Sequence, residues 1–229
     1  MPALRTLSPL EARVLGVLVE KQRTVPDTYP LSLNAIVSGC NQKTSREPVM
    51  SAGDADVQAA IDALKALSLV VESSGGRVMR YAHNVERALA LPAQSVALLA
   101  VLMLRGPQTA GELRINCDRL HRFADISAVE GFLNELAARV AGALVVELPR
   151  IAGTRETRWA HLLAGPPAAE ANSAPRAASM PDDEARAAEL SALRDTVAAL
   201  QDEVVSLKAA LTQLRADLGI GSADDATPS

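Results

Sequence analysis

Aromatic side chains are scarce, at 2% of the 229 residues. Any core must therefore be filled by Leu, Val, Ile and Ala. Cysteine is nearly absent: Cys40 and Cys117 are too few for a disulfide framework. Each stands at the end of a predicted short helix, where a small buried side chain fits. No membrane-length apolar run is present. The longest purely apolar stretch, Val96 to Leu104, falls far short of the ~20 residues a spanning helix needs. The start, Met1 to Leu10, lacks the basic-then-apolar pattern of a secretory signal. These absences lead us to expect a cytoplasmic protein with no membrane association. Catalytic signatures are missing too. There is no Gly-rich phosphate loop, H-E-x-x-H, G-x-S-x-G or C-x-x-C. Cys117 and His121 stand four apart, but two ligands do not close a zinc site. A non-enzymatic protein with no cofactor and no metal is the expectation.

What is present is a repetition. Leu7 to about His83 and Leu91 to about His161 follow the same order, and end alike in Arg80-Tyr81-Ala82-His83 and Arg158-Trp159-Ala160-His161. In the first unit Ser8 and Glu11 form an S-x-x-E capping box, with Pro9 at the first helical position. Leu10, Val14, Leu15, Val17, Leu18 and Val19 then make a broad helical stripe. Pro26 and Pro30 break the chain. Ser32 caps a short helix ending near Gly39, and a polar loop runs from Asn41 to Pro48. A third helix starts at Ser51 to Asp54 and carries Val57, Ile61, Leu64 and Leu67. Leu69 to Glu72 and Val78 to Ala82 are β-prone and flank a turn holding Gly75-Gly76.

The second unit repeats the order. Leu7, Leu15, Val17, Leu18 and Lys21 map onto Leu91, Leu99, Val101, Leu102 and Arg105. Val57, Ile61 and Leu64 map onto Val129, Leu133 and Leu136. Thr109 and Glu112 form a second capping box, for a short helix reaching Cys117. Ala143 to Leu148 and Arg155 to His161 form the second hairpin. The expected fold is mainly α with small β-hairpins (α+β). It has tandem winged-helix domains at 1–84 and 85–164, a Pro/Ala-rich linker at 165–183, a coiled-coil helix at 184–218 and a tail at 219–229. A pair of unrelated three-helix bundles is the alternative.

Particular stretches resemble a known family. Leu10-Glu11-Ala12-Arg13-Val14-Leu15-Gly16, Glu20-Lys21-Gln22 and Tyr29-Pro30-Leu31-Ser32-Leu33-Asn34 are three of them. The most specific runs Cys40-Asn41-Gln42-Lys43-Thr44-Ser45-Arg46-Glu47-Pro48-Val49. Leu104-Arg105-Gly106-Pro107-Gln108-Thr109 and Gly111-Glu112-Leu113-Arg114 agree in the second unit. Together they resemble the uncharacterised bacterial YceH family, over roughly Leu7 to Leu163. The resemblance implies the tandem winged-helix fold and no established activity.

Charge is unevenly placed. Residues 1–84 and 85–165 each carry 9 basic and 8 acidic residues, whereas 166–229 carry 5 and 11. The near-neutral body neither demands nor excludes nucleic acid, because local clustering sets the electrostatic footprint. The predicted third helices present acidic faces: Asp54, Asp56 and Asp62 with Lys65, then Glu130 and Glu135 with Asn134 and Arg139. Such faces repel phosphate. Candidate nucleic-acid contacts therefore lie in the loop and hairpins: Lys43, Arg46, Arg77 and Arg80, then Arg119, Arg122, Arg155 and Arg158. The plainer reading of the loop is that its polar side chains satisfy irregular backbone. His83 and His161, duplicated and without a nucleophile beside them, are read as structural.

After the proline-rich linker, Leu190, Leu193, Val197, Leu200, Val204, Leu207, Leu211, Leu214 and Leu218 are spaced alternately by three and four. This is a coiled-coil seam with Leu at every d position. Glu189 and Glu203 at g face Arg194 and Lys208 at e, as in a parallel dimer. The alternative is one amphipathic helix folding back on its own chain. The expected function is a dimeric, DNA-associated regulatory protein; the alternative is a protein–protein adaptor that does not bind DNA. If the heptad pairs two chains, light scattering at tens of micromolar should give twice the mass of one chain. Leu200→Pro, which breaks a helix interior, should give a monomer. A wild-type monomer would assign the seam to a fold-back helix.

Overall fold

In the computed structural model, which describes residues 5–73, 78–150 and 156–167, the capping residues set the helix starts. The chain divides into two units, Met1–Ala174 and Pro175–Ser229, and every described residue belongs to the first. Ser8 accepts the Glu11 backbone N–H at 3.1 Å, while the Glu11 carboxylate accepts the Ser8 N–H at 2.8 Å. This reciprocal box opens α1, Pro9–Thr24. After a single 3-10 turn at Pro26–Thr28 come β1, Leu31–Ser32, and α2, Leu33–Cys40, capped by Ser32. Then α3 spans Asp54–Ala66, β2 Val70–Ser73 and β3 Arg80–His83. Gly53 rather than Ser51 precedes α3, and Asp56 accepts the Gly53 N–H.

A short helix that the sequence pattern did not suggest, α4 at Val85–Leu89, connects the two halves. It ends at Ala90 with φ of 51°. The second half comprises α5, Ala93–Arg105, α6, Ala110–Asn116, and α7, Ile126–Ala137. Its strands are β4, Val145–Glu147, and β5, Trp159–His161. Thr109 and Glu112 form the second capping box. None of the described helices is long and apolar enough to cross a membrane.

The sheets repeat as well. In the first half all strands are antiparallel in the order β1-β3-β2, with Leu31 opposite Tyr81 and Val70 opposite His83. In the second half β4 pairs with β5, placing Val145 opposite His161. Gln108 makes one antiparallel bridge to Trp159, where the first half has β1. Matching positions have matching environments: Ile36 and Leu113, Cys40 and Cys117, Val57 and Val129, and Ile61 and Leu133 are all fully buried.

The helical stripe expected on the first helix is wider than a stripe. Every residue of α1 from Glu11 to Val19 is buried, and so is every residue of α5 from Ser95 to Leu104. A helix buried all round needs neighbours on every side. Here each of these two helices packs against its own half and against the other, inside one continuous core. They pack closely at Gly16, where a Cβ would lie 3.0 Å from the Leu104 side chain. Gly39 plays a like part within the first half, since a Cβ there would meet Val17 at 2.6 Å. Backbone bonds stitch the halves together, from Leu7 N to Leu163 O at 2.8 Å and from Glu47 N to Leu104 O at 2.7 Å.

The hairpin histidines tie strands to the interior. His83 Nε2 lies 2.8 Å from Gln22 Oε1 on α1, and the His83 backbone N–H donates to the Tyr29 hydroxyl at 2.7 Å. His83, opposite Val70 in the hairpin, thus also links its strand to α1. Both His83 and His161 have a buried Nδ1 without a hydrogen-bond partner. Burial pushes each imidazole down from 6.5 to about 4, with Arg23 adding to the effect on His83. The unfolded chain therefore takes up two protons that the folded chain refuses. Their neutral forms cost nothing above pH 6.5, and stability is lost as pH falls from 6.5 through about 4. Urea unfolding at pH 7 and pH 5 should show the wild type losing more than the His83→Asn/His161→Asn double variant. The difference should be up to about 1.4 kcal/mol per group per pH unit. Equal losses would place both rings in contact with water.

Candidate nucleic-acid interface

The Asn41–Pro48 loop is built from the inside. Asn41 bridges it: its Nδ2 donates to Ala52 O at 2.9 Å, and its Oδ1 accepts the Ala52 N–H at 2.8 Å. Arg46 lies at the centre, with a side chain that is 0% exposed. It donates to both Glu20 carboxylate oxygens at 3.1 and 2.6 Å, to Gln42 Oε1 at 2.6 Å and to the Gly39 and Ser45 carbonyls. Arg13, also buried, donates to Cys40 O at 3.1 Å and to Pro48 O at 2.6 Å. On the far side Arg105 of α5 donates to the Ser45 hydroxyl at 2.7 Å.

The loop's side chains thus satisfy buried backbone, as the plainer reading had it, and they also join the two halves. Arg46 is not available to a phosphate, contrary to its place among the candidate contacts. Its donors are engaged inside the protein, and exposing it would strand Glu20. Burial alone would raise the Glu20 carboxyl. The hydrogen bonds and charge of Arg46, with Lys21 at 3.4 Å, outweigh that and hold it below the usual carboxylate range.

The other candidates separate by environment. Lys43 is exposed on the loop's outer side. Arg80 is exposed, yet its guanidinium donates to the Thr28 and Pro30 carbonyls at 3.2 and 2.8 Å. Arg158 is half-buried and donates to Pro107 O. Arg119 and Arg122 are exposed beyond α6; Arg122 makes only a loose, solvated pair with Asp118 at 3.5 Å. Arg77 and Arg155 lie outside the described residues, as do all nine heptad positions from Leu190 to Leu218.

The third helices are as acidic as expected, and their cations are engaged. Lys65 bonds to Asp62 and Glu72, and Arg139 donates to Leu89 O at 2.7 Å. The buried cysteine thiols are pushed up by desolvation to about 11 for Cys40 and about 12 for Cys117, which leaves both unreactive. Among the described residues no group of three or more His, Cys, Asp or Glu could hold a metal ion.

The pairs Glu20–Arg46, Gln22–His83 and Arg13–Cys40 escaped sequence reasoning. Their members are far apart in the chain, and no periodicity links them. A weak signal was present in the motif Glu20-Lys21-Gln22, whose polar residues interrupt an apolar helix.

Geometry and topology together define a mixed α+β protein of two like halves, each with three helices and a small antiparallel sheet. The model of the family described as "Protein of unknown function, DUF480" matches residues 7–154, and the chain belongs to that family. It is 63% identical to a UPF0502 protein of Dechloromonas aromatica over 84% of this chain and 91% of that protein. It is 58% identical to one of Cupriavidus taiwanensis over 98% and 91%. A UPF0502 protein of Burkholderia thailandensis is 66% identical over 72% and 70%. UPF0502 is the YceH family, for which no function is established.

Removing one member of a buried ion pair leaves the other charged and desolvated, at a cost of about 3–5 kcal/mol. Arg46→Met should therefore lower the unfolding free energy by about that much at neutral pH, measured by urea denaturation. The deficit should shrink in acid, because a protonated Glu20 needs no cation. A loss below ~1 kcal/mol would show that solvent screens the pair.

Proposed function

We propose that the chain is a non-enzymatic, cytoplasmic, DNA-associated regulatory protein of tandem winged-helix build, dimeric through its C-terminal heptads. The observation that carries the reading is the repeated topology. In the first half a short strand leads into the second helix and returns to the hairpin sheet in the order β1-β3-β2. In the second half the Gln108–Trp159 bridge takes the same place. This order supports the winged-helix reading, in which the third helix and the hairpin would face DNA. Fold by itself is a weak warrant for function, so the charges must set the mode.

The exposed acids of α3 and α7 oppose helix-led reading in the major groove. Lys43, Arg119 and Arg122 offer phosphate contacts beside them. Such contacts position a protein on DNA without specifying sequence. Binding should accordingly be weakly selective and steeply salt-dependent.

A second reading, an adaptor for other proteins, has its own support. The first hairpin exposes Val71, Val78 and Met79. Between α6, α7 and the second hairpin lies a hollow of about 360 Å³, lined among the described residues by Glu130, Glu147 and Glu156 and by Arg150. A basic peptide would suit that hollow better than DNA would.

A salt titration of a fluorescent duplex by anisotropy tests the first reading. The log-log slope should be near −0.9 per phosphate neutralised. Lys43→Gln/Arg122→Gln should lower its magnitude by about 2. Absence of binding at ~50 mM salt, where electrostatic association is strong, would favour the adaptor.

A further inference from the structure

A cavity of about 230 Å³ lies where α1, the Asn41–Pro48 loop, α5 and the turn after α6 meet. Both halves contribute to its wall, so it exists only because they are packed together. Three cations line it, Lys21, Arg105 and Arg119, against a single carboxylate, Glu20. That carboxylate is already bound by the buried Arg46 at 2.6 Å and approached by Lys21 at 3.4 Å. The lining therefore has a surplus of positive charge.

Its hydrogen-bonding capacity is unbalanced in the same sense. Two of its acceptors are occupied, Gln42 Oε1 by Arg46 and Ser45 Oγ by Arg105, while Asn116 Oδ1 and the Thr44 hydroxyl receive no hydrogen bond from the described residues. Free donors are more numerous. Gln42 Nε2, the Ser45 hydroxyl hydrogen and the whole Arg119 guanidinium have no partner among the described residues. A cavity with a surplus of cations and free donors favours an anionic ligand that mainly accepts. Phosphate oxygens meet that description, and Arg105 and Arg119 can bind them as planar forks. Val101, Leu104 and Leu120 form an apolar wall to the same space. The volume is below the roughly 300 Å³ at which drug-sized sites begin.

From this we infer that the cavity between the halves is a binding site for a small organic phosphate, a phosphate monoester with a compact apolar group. The phosphate sits among Lys21, Arg105 and Arg119, and the apolar group rests on the Leu104 and Leu120 side. Because the wall is drawn from both halves, such a ligand also bridges them.

The test is isothermal titration calorimetry of the full chain with phenyl phosphate and with inorganic phosphate. Phenyl phosphate should bind saturably at one site per chain, with Kd of ~1 mM or tighter, and several-fold more tightly than inorganic phosphate. Lys21→Gln and Arg119→Gln should each weaken it about tenfold or more. Neither side chain is fully buried, so both variants should fold, which their thermal unfolding checks. Arg122→Gln, exposed and outside the lining, should bind as wild type. The absence of saturable binding would overturn the proposal. So would weakening by Arg122→Gln equal to that of Arg119→Gln, because it would mark a diffuse surface effect. Lys21 is not among the candidate DNA contacts. Loss of phosphate binding in Lys21→Gln with DNA binding retained would therefore separate the two sites.

Discussion

Gly16 of α1 and Leu104 of α5 approach until an added methyl group would press on the leucine side chain at 3.0 Å. That close approach is the constraint on which the rest of the body depends. A large side chain at Gly16 would displace Leu104 and loosen the packing of α1 on α5, whose inter-half faces would meet water if the helices separated. Each leucine returned to solvent would forfeit about 1.5–3 kcal/mol. Because the helices do meet, Glu11 to Val19 and Ser95 to Leu104 are buried without a break. The two halves become one folding body with one core. The Leu7–Leu163 and Glu47–Leu104 backbone bonds then lie at its seams.

Burying the seam creates a polar problem that the arginines solve. The Asn41–Pro48 loop enters the junction with carbonyl groups no helix or strand can satisfy. Arg13 and Arg46 reach Cys40, Pro48, Gly39 and Ser45 in its place. Arg46 is itself neutralised by Glu20, whereas Arg13 is held by carbonyl oxygens alone and its buried Nε has no partner. This assignment has a functional consequence. The cations held inside organise the loop, and those left over, Lys43 and Arg119 among them, are the ones a partner can meet. The loop that most resembles the YceH family is thus first an architectural device, and its outer edge is what remains for recognition.

The two halves also differ from each other at the seam. Their core positions and buried aromatic strand residues correspond, Tyr81 with Trp159. The first half has a full β1, with Leu31 packed in the core. The second has Gln108, whose Oε1 accepts from Asn116 at 2.6 Å. The first half contributes the long clamped loop to the seam. The second contributes α5, Asn116 and Arg119. A duplicated unit has become an asymmetric pair, and the cavity between them is lined by the equivalent Lys21 and Arg105 together with loop and turn residues that differ between the halves.

The helices, their starts and the hairpins were legible in the residues because the forces that form them are local. Ser8 with Glu11 and Thr109 with Glu112 act over three residues, and an apolar period acts over one turn. The repeat was legible for the same reason: identical local rules leave matching patterns, and Cys40 and Cys117 fell where those patterns placed them. The β1 strand and α4 escaped because two and five residues are too short to carry a period. The burial of Arg46 escaped because its partner Glu20 lies 26 residues away, and a loop cation reads alike whether it faces water or a carboxylate. Which surfaces of α1 and α5 are interior is decided by a contact between halves that no local pattern encodes. Only the tertiary structure, by bringing Gly16 to Leu104, determines which charges are architecture and which are free to bind.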